Sequence, residues 1–209
     1  MHTQPTPALL PTRRTALLAF GIGVTALVAH RPARAQATAA APLLEAPPEL
    51  SAYAPAWNAR GSGALRFFGF KAYDATLWLP AGQTSYAPNR SFALDIRYNT
   101  TVKASDIVNT SLIEMSRLAS ATPEQIKAWT TFMTQLFVDV KSGDRLVGVR
   151  VPDKGARFFL NAKLLGESPD EAFTDAFFRI WLDPKTRRPE LRDALLGTAT
   201  AAAPTVRSP

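Results

Sequence analysis

The stretch over residues 64–80, ALRFFGFKAYDATLWLP, constrains the fold most, because it is the longest strand-like run in the chain. It is rich in Phe, Tyr, Trp and Leu, and it ends at a proline. Gly69 lies inside it, and a glycine within a strand run often marks a bulge. The pattern predicts a strand with a bulge at Gly69, and a tight hairpin at Gly69 is the alternative geometry.

The geometry at Gly69 decides which polar side chains share a face. In an unbroken strand Arg66 and Tyr73 lie on opposite faces, because side chains alternate with a period of two. A bulge reverses this alternation and places Arg66 and Tyr73 on one otherwise apolar face. The residues predicted to share this face are Arg66, Phe68, Tyr73, Ala75, Leu77 and Leu79. Arg66 is then either a cation that faces a ligand or a strand residue that snorkels to the edge.

Residues 1–35 have the pattern of an export signal. Arg13 and Arg14 precede an apolar run of 14 residues, 16–29, which is too short to span a bilayer comfortably. Ala33-Arg34-Ala35 matches an A-x-A cleavage site. The arginine pair resembles a twin-arginine signal, and a Sec signal is the alternative. We predict cleavage after Ala35, a periplasmic or secreted bacterial protein, and no stable membrane span after cleavage.

The composition excludes several classes of chemistry. Cleavage removes four of the 24 basic residues and no acidic one, so 20 basic and 17 acidic residues remain, a net charge near +3. No Lys/Arg cluster typical of a nucleic-acid binder is present. Both histidines leave with the signal, and the chain has no cysteine. This excludes His-dependent nucleophilic triads, His/Cys metal sites and disulfides. We expect no metal, no cofactor and no nucleic-acid partner, while the oligomeric state stays open.

Strand-like runs flank a helical middle. Residues 36–58 are rich in Ala and Pro and predict a flexible leader. Arg60-Gly61-Ser62-Gly63 predicts a turn before the central stretch. Further strands are predicted over 91–98, 145–151 and 156–161, with a short one over 163–166.

Four helices are predicted from their end signals. Ser105 or Asp106 caps a helix that runs to about residue 119. Capping boxes begin two more helices, at Thr122-Pro123-Glu124-Gln125 and at Ser168-Pro169-Asp170-Glu171. A last helix covers 189–196 with Gly197 at its end, and residues 198–209 predict a disordered tail. This order suits an α+β domain over 59–197, an antiparallel sheet with helices on one face.

Three segments of this domain resemble the chalcone isomerase-like family. They are the run 71–79, KAYDATLWL, with its glycine-rich lead-in at 61–63; the middle, with 94–98, Glu114-Met115-Ser116-Arg117 and 140–145; and the C-terminal run 172–197. The resemblance covers about residues 60–197 and is greatest to the bacterial exported branch. It implies an open-faced β-sandwich, a large antiparallel sheet with a layer of helices.

The resemblance implies two possible kinds of function. Plant members cyclise a chalcone to a flavanone, whereas other members bind fatty acids without catalysis and hold the carboxylate with an Arg and a Tyr. Arg66 and Tyr73 match that pair, and Arg60 is the competing arginine. Further candidate cations are Lys71, Arg97 and Arg117.

The residues of the isomerase reaction match less well. Tyr73 falls where the plant enzymes carry a Thr, and their Tyr and Asn fall near Val108 and Met115, with Asn109 and Thr110 close by. Loss of positioned donors removes what is usually the largest catalytic effect. We therefore expect an exported, non-catalytic binding protein for a fatty acid or similar apolar carboxylate. The alternatives are an isomerase (intramolecular lyase) that acts on an enone through Tyr73 and Arg66, and a structural or partner-binding domain.

Overall fold

The aromatic stretch folds into a hairpin in the computed structural model, which describes residues 44–67 and 69–199. Strand β1 (Trp57–Phe67) pairs antiparallel with β2 (Phe70–Pro80), and this pairing ends where Phe67 lies opposite Phe70. Gly69 lies in the turn at φ +82°, a region that glycine adopts without a steric penalty. The predicted bulge at Gly69 is therefore wrong, and the tight hairpin is confirmed.

The described residues contain four more strands and four helices. The strands are β3 (Phe92–Tyr98), β4 (Arg145–Val151), β5 (Gly155–Leu160) and β6 (Lys163–Ser168), and the helices are α1 (Ala104–Leu118), α2 (Pro123–Leu136), α3 (Glu171–Leu182) and α4 (Pro189–Leu196). The strands form one sheet in the order β1-β2-β3-β4-β5-β6 with every neighbouring pair antiparallel. The predicted α+β architecture is confirmed. The predicted signal and all of the tail beyond residue 199 lie outside the described residues.

The main core lies between the helices and one face of the sheet, called here the inner face. Leu77, Leu94 and Phe158 lie in register across this face. Phe158 is fully buried and packs edge-on against Phe173 and Phe177 of α3. Such edge-to-face contacts add to the free energy gained from burying aromatic area. The helical layer is therefore held to the sheet by large apolar side chains.

Two helix ends follow the local signals in the sequence. At the start of α2, Thr122 accepts a hydrogen bond from the backbone N–H of Gln125, whose side chain accepts one from the N–H of Thr122. α4 ends at Gly197, which has φ +63° and ψ +32°, the left-handed conformation common after a helix. Both ends confirm the prediction.

Two other helices begin at residues that differ from the prediction. α1 begins at Ala104, before both predicted caps, because the carboxylate of Asp139 accepts a hydrogen bond from the N–H of Ala104 at 2.9 Å. α3 is capped by Asp170, since Ser168 is the last residue of β6. In the case of α1 the cap comes from a residue 35 positions away, which local patterns do not reveal.

Part of the predicted leader packs on the other face of the sheet, the outer face. Residues Pro48–Ala52 form a short 3₁₀ helix, in which Leu50 is fully buried. The Trp57 indole donates a hydrogen bond to the Leu50 carbonyl at 2.8 Å. Glu49 forms an ion pair with Arg145 of β4 at 3.1 Å. The folded segment therefore begins before residue 59, where the sequence placed the start of the domain.

The glycines that predicted a turn lie inside β1 instead. A Cβ added at Gly61 would lie 2.1 Å from the carbonyl oxygen of Ala194 in α4. A Cβ at Gly63 would lie 2.9 Å from side-chain atoms of Leu191 and Ala194. The glycines therefore allow α4 to approach the backbone of β1 more closely than any side chain permits.

Candidate functional site

A cavity of about 1010 Å³ lies between the sheet and the helices, and more than half of its lining residues are apolar or aromatic. β1, β2, β3, β4, α1, α3, α4 and the connections after β3 and α3 all contribute to it. The lining residues are Leu65, Phe70, Lys71, Ala72, Tyr73, Ile96, Tyr98, Asn99, Thr100, Val102, Asp106, Ile107, Thr110, Ser111, Glu114, Leu146, Phe177, Ile180, Trp181, Thr186, Arg187, Arg188 and Leu191. A cavity of this size is at the upper end of the range for small-molecule sites.

Tyr73 forms the first polar group of the cavity. The Tyr73 side chain lies on the inner face of the sheet, because it is on the same side of β2 as the buried residues Ala75 and Leu77. The Trp181 indole of α3 donates a hydrogen bond to the Tyr73 hydroxyl oxygen at 2.9 Å. Because a phenol can accept and donate at once, Tyr73 keeps its own proton for a ligand oxygen.

Burial keeps this phenol neutral. It raises the pKa of Tyr73 to about 12, and the opposing effects of the Trp181 hydrogen bond and of the nearby Arg188 charge are smaller. Burial also raises the pKa of Tyr98, whose ring packs edge-on against Tyr73 with centroids 5.9 Å apart. Tyr73 is therefore a hydrogen-bond donor rather than a phenolate at neutral pH.

Arg188 supplies a cation beside Tyr73. It precedes α4, is half-buried and lines the cavity, and its charge acts on the Tyr73 phenol. The sequence pattern does not identify this residue, because Tyr73 and Arg188 lie in distant parts of the chain. One signal was present: Arg188 occupies the N-cap of α4, where the helix macrodipole disfavours a cation.

A second group of charges includes two residues of the cavity lining, Glu114 and Arg187. Glu114 of α1 accepts hydrogen bonds from Arg117 and from Arg187, the latter at 2.8 Å. Arg117 also donates to the backbone carbonyl of Lys185 at 2.8 Å. Arg117, predicted as a ligand-binding residue, is not among the lining residues and instead joins α1 to the connection between α3 and α4. It thereby helps to hold the segment that carries Arg188.

The structure does not bring Arg66 to Tyr73. Tyr73 lies opposite Leu65, and the register then shifts so that Arg66 lies opposite Lys71. Residues 65 and 66 point to opposite faces of β1, so Arg66 lies on the outer face, where its charge acts on Asp74. Arg66 is exposed and does not line the cavity. The predicted shared face is lost at the register shift between Leu65 and Arg66, where β2 has one extra residue and the alternation of side chains reverses.

The other candidate cations also differ in position. The guanidinium of Arg60, the competing match, lies beside Gly197 at the end of α4 and not in the cavity. Arg97 is exposed and is not a lining residue. Lys71 does line the cavity, and its ammonium group bonds Asp74 at 2.8 Å. Arg188 is therefore the arginine that the fold places beside the Tyr73 phenol.

Two positions aligned with isomerase residues lie in the core. Val108 is buried, Met115 is fully buried, and neither lines the cavity. Of their close neighbours, Thr110 lines the cavity and Asn109 is exposed.

The described residues also bear on metal binding and on membrane crossing. Within residues 44–67 and 69–199, no group of three or more His, Cys, Asp or Glu residues is placed to hold a metal ion. No helix among these described residues has the length and apolar character needed to cross a bilayer.

Comparisons with known proteins show where this architecture occurs and which family the chain matches. A search of curated proteins found no match. Among solved structures, the chain is similar to a fatty-acid binding protein of Arabidopsis thaliana, with a TM-score of 0.52 and 10% identity over 67% of this chain and 86% of that one. At this identity the similarity shows the fold alone. The model of the family described as chalcone isomerase-like matches residues 47–197. The chain therefore belongs to the chalcone isomerase-like family.

Proposed function

We propose that the protein binds a fatty acid or a similar apolar monocarboxylate in this cavity and releases it unchanged. One observation carries the proposal: a largely apolar cavity of about 1010 Å³ has the Tyr73 donor and the Arg188 cation on its wall. A carboxylate accepts hydrogen bonds from both groups, and an acyl chain packs on the apolar lining. The fold shared with a plant fatty-acid binding protein supports the proposal.

The two parts of such a ligand contribute differently. A charge-assisted hydrogen bond in a dry site contributes about 1.5–3 kcal/mol. Each methylene that leaves water contributes about 0.8 kcal/mol. The acyl chain therefore supplies most of the affinity, and Tyr73 and Arg188 supply the selection for a carboxylate.

Export is the second part of the proposal. The arginine pair at 13 and 14, the apolar run 16–29 and the A-x-A site at 33–35 support it, and they are sequence features alone. The proposed role is thus that of a carrier of an apolar carboxylate in the periplasm or outside the cell.

The two alternatives have less support from the geometry. A structural domain would fill the space beside Tyr73 with its own side chains, whereas a large cavity lies there. An enone isomerase that uses Tyr73 with Arg66 needs both groups on one cavity wall, and Arg66 lies on the outer face.

Native mass spectrometry of the protein isolated from its own cells tests the proposal. We expect a stoichiometric mass increment that lipid extraction and chromatography identify as a fatty acid or another apolar monocarboxylate. A protein that carries no increment and binds no added laurate would contradict the proposal. Turnover of a chalcone by the same sample would replace it with the isomerase alternative.

Tyr73→Phe should weaken laurate binding about tenfold, because a hydrogen bond from a neutral phenol to an ionised carboxylate lies at the lower end of the range of about 1.5–3 kcal/mol for charge-assisted bonds. Laurate affinity of the native protein should be constant from pH 6 to 9, since burial raises the pKa of Tyr73 to about 12 and the phenol stays protonated over that range. Isothermal titration calorimetry with laurate measures both effects. A fall in affinity between pH 6 and 9 that Tyr73→Phe abolishes would show that Tyr73 ionises there and would refute this role.

A further inference from the structure

The tip of the β1–β2 hairpin carries an exposed aromatic side chain. Phe70 is 81% exposed, the highest value among the large apolar side chains whose burial is described, those of residues 44–66 and 69–199. The sequence over residues 66–71 is RFFGFK, with three phenylalanines between two cations. Aromatic residues flanked by Lys and Arg are typical of segments that lie in the interface of a bilayer.

The hairpin also extends beyond the neighbouring strand. Pairing of β2 with β3 ends at Tyr73, whereas pairing of β1 with β2 continues to Phe70. Arg66 and Lys71 lie opposite each other on this extension, and both are exposed. Lys71 bonds Asp74, so these three charged groups leave the extension with one net positive charge. The extension therefore presents a cationic and aromatic end to the surroundings.

We propose that this tip docks on the surface of a lipid bilayer that contains anionic lipids. A phenylalanine ring that leaves water for the acyl-chain side of the interface gains free energy from the apolar area that it buries. The two cations reach the lipid phosphates with their charged ends while their stems lie along apolar surface. Anionic head groups attract such cations at short range. This charge complementarity favours a lipid surface over a second copy of the chain, which would bring like charges together.

Docking brings the part of the cavity wall that the hairpin forms to the lipid surface. Phe70 and Lys71 line the cavity as well as forming the tip, and Leu65 lines it on β1. A ligand that dissolves poorly in water can then pass between bilayer and cavity without crossing bulk solvent. This last step rests on the proposed function, whereas docking itself does not.

A fluorophore at the tip tests the docking directly. The chain has no cysteine, so Phe70→Cys gives a unique labelling site for the environment-sensitive dye NBD in the full chain. Leu164→Cys is the matched control, because Leu164 is also exposed, at 49%, but lies on β6 at the far edge of the sheet. The probe is a vesicle of phosphatidylcholine and phosphatidylglycerol, with nitroxide groups on some acyl chains as quenchers.

We expect the dye at position 70 to shift to the blue and to be quenched on addition of vesicles, and the dye at position 164 to do neither. Adding Arg66→Glu to Phe70→Cys should raise the half-maximal lipid concentration about tenfold. No response at position 70, or an equal response at position 164, would overturn the proposal. A blue shift that grows with protein concentration in the absence of lipid would assign the tip to a second copy instead.

The failure of this inference is distinguishable from failure of the proposed function. The vesicles contain no free fatty acid, so contact of the tip is measured without a ligand in the cavity. Arg66→Glu should leave laurate affinity in solution unchanged, because Arg66 does not line the cavity.

Discussion

Arg188→Ala should weaken laurate binding by about 10- to 100-fold, the largest loss of affinity that we expect from one side chain. The charge-assisted hydrogen bond that it removes contributes about 1.5–3 kcal/mol, and 1.4 kcal/mol corresponds to a factor of ten. Because Arg188 lies beside the buried Tyr73 phenol, water that replaces the guanidinium solvates the laurate carboxylate less well. Isothermal titration calorimetry with laurate measures the change.

Two controls separate recognition of the carboxylate from loss of the fold. Dodecanol has the same chain length but no charge, so Arg188→Ala should remove the preference for laurate over dodecanol while dodecanol binding changes little. Arg66→Ala should leave laurate affinity as it is in the native protein, because Arg66 lies on the outer face. The reverse result, in which Arg66→Ala weakens binding and Arg188→Ala does not, would restore Arg66 as the ligand-binding arginine.

The contrast between these two arginines shows which features of the site can be predicted from the sequence. Local signals depend on neighbours in the chain, and they located the capping box at Thr122 and the glycine that ends α4. They also located Tyr73, since its strand is strongly apolar. Local signals did not locate the cation that lies beside Tyr73. Parity along one predicted strand placed Arg66 beside Tyr73, and the register shift between Leu65 and Arg66 made that prediction fail.

The polar neighbours Trp181 and Arg188 of Tyr73 come from the C-terminal part of the chain. Trp181 bonds Tyr73 across 108 positions of the chain, and Arg188 lies still further along it. Their meeting depends on how α3 and α4 pack on the sheet, which no periodicity in a short window encodes. In sequence, Phe173, Phe177 and Trp181 share helical spacing that indicates a buried face. That spacing does not show that the Trp181 indole reaches a cavity, because spacing defines a face and not its partner.

The contact of α4 with β1 is the packing feature on which the position of Arg188 depends most directly. Gly61 admits the backbone of α4, and a Cβ there would lie 2.1 Å from the carbonyl oxygen of Ala194. The obstacle is backbone rather than the end of a flexible side chain, so α4 itself has to move. Overpacking of this kind costs about 1–3 kcal/mol, with larger values where backbone is displaced. An alanine also restricts the unfolded chain, which offsets about 0.4–1 kcal/mol.

Gly61→Ala should therefore lower the free energy of unfolding by about 2 kcal/mol, the largest loss of stability expected from one added methyl group here. Urea denaturation followed by circular dichroism measures it. Laurate affinity should fall as well, because α4 begins directly after Arg188 and carries the lining residue Leu191. Ser62→Ala is the matched control, since Ser62 is exposed in the same strand and should change stability by less than about 0.5 kcal/mol. If Gly61→Ala proves as stable as Ser62→Ala, α4 does not rest on the backbone of β1, and the position of Arg188 has another cause.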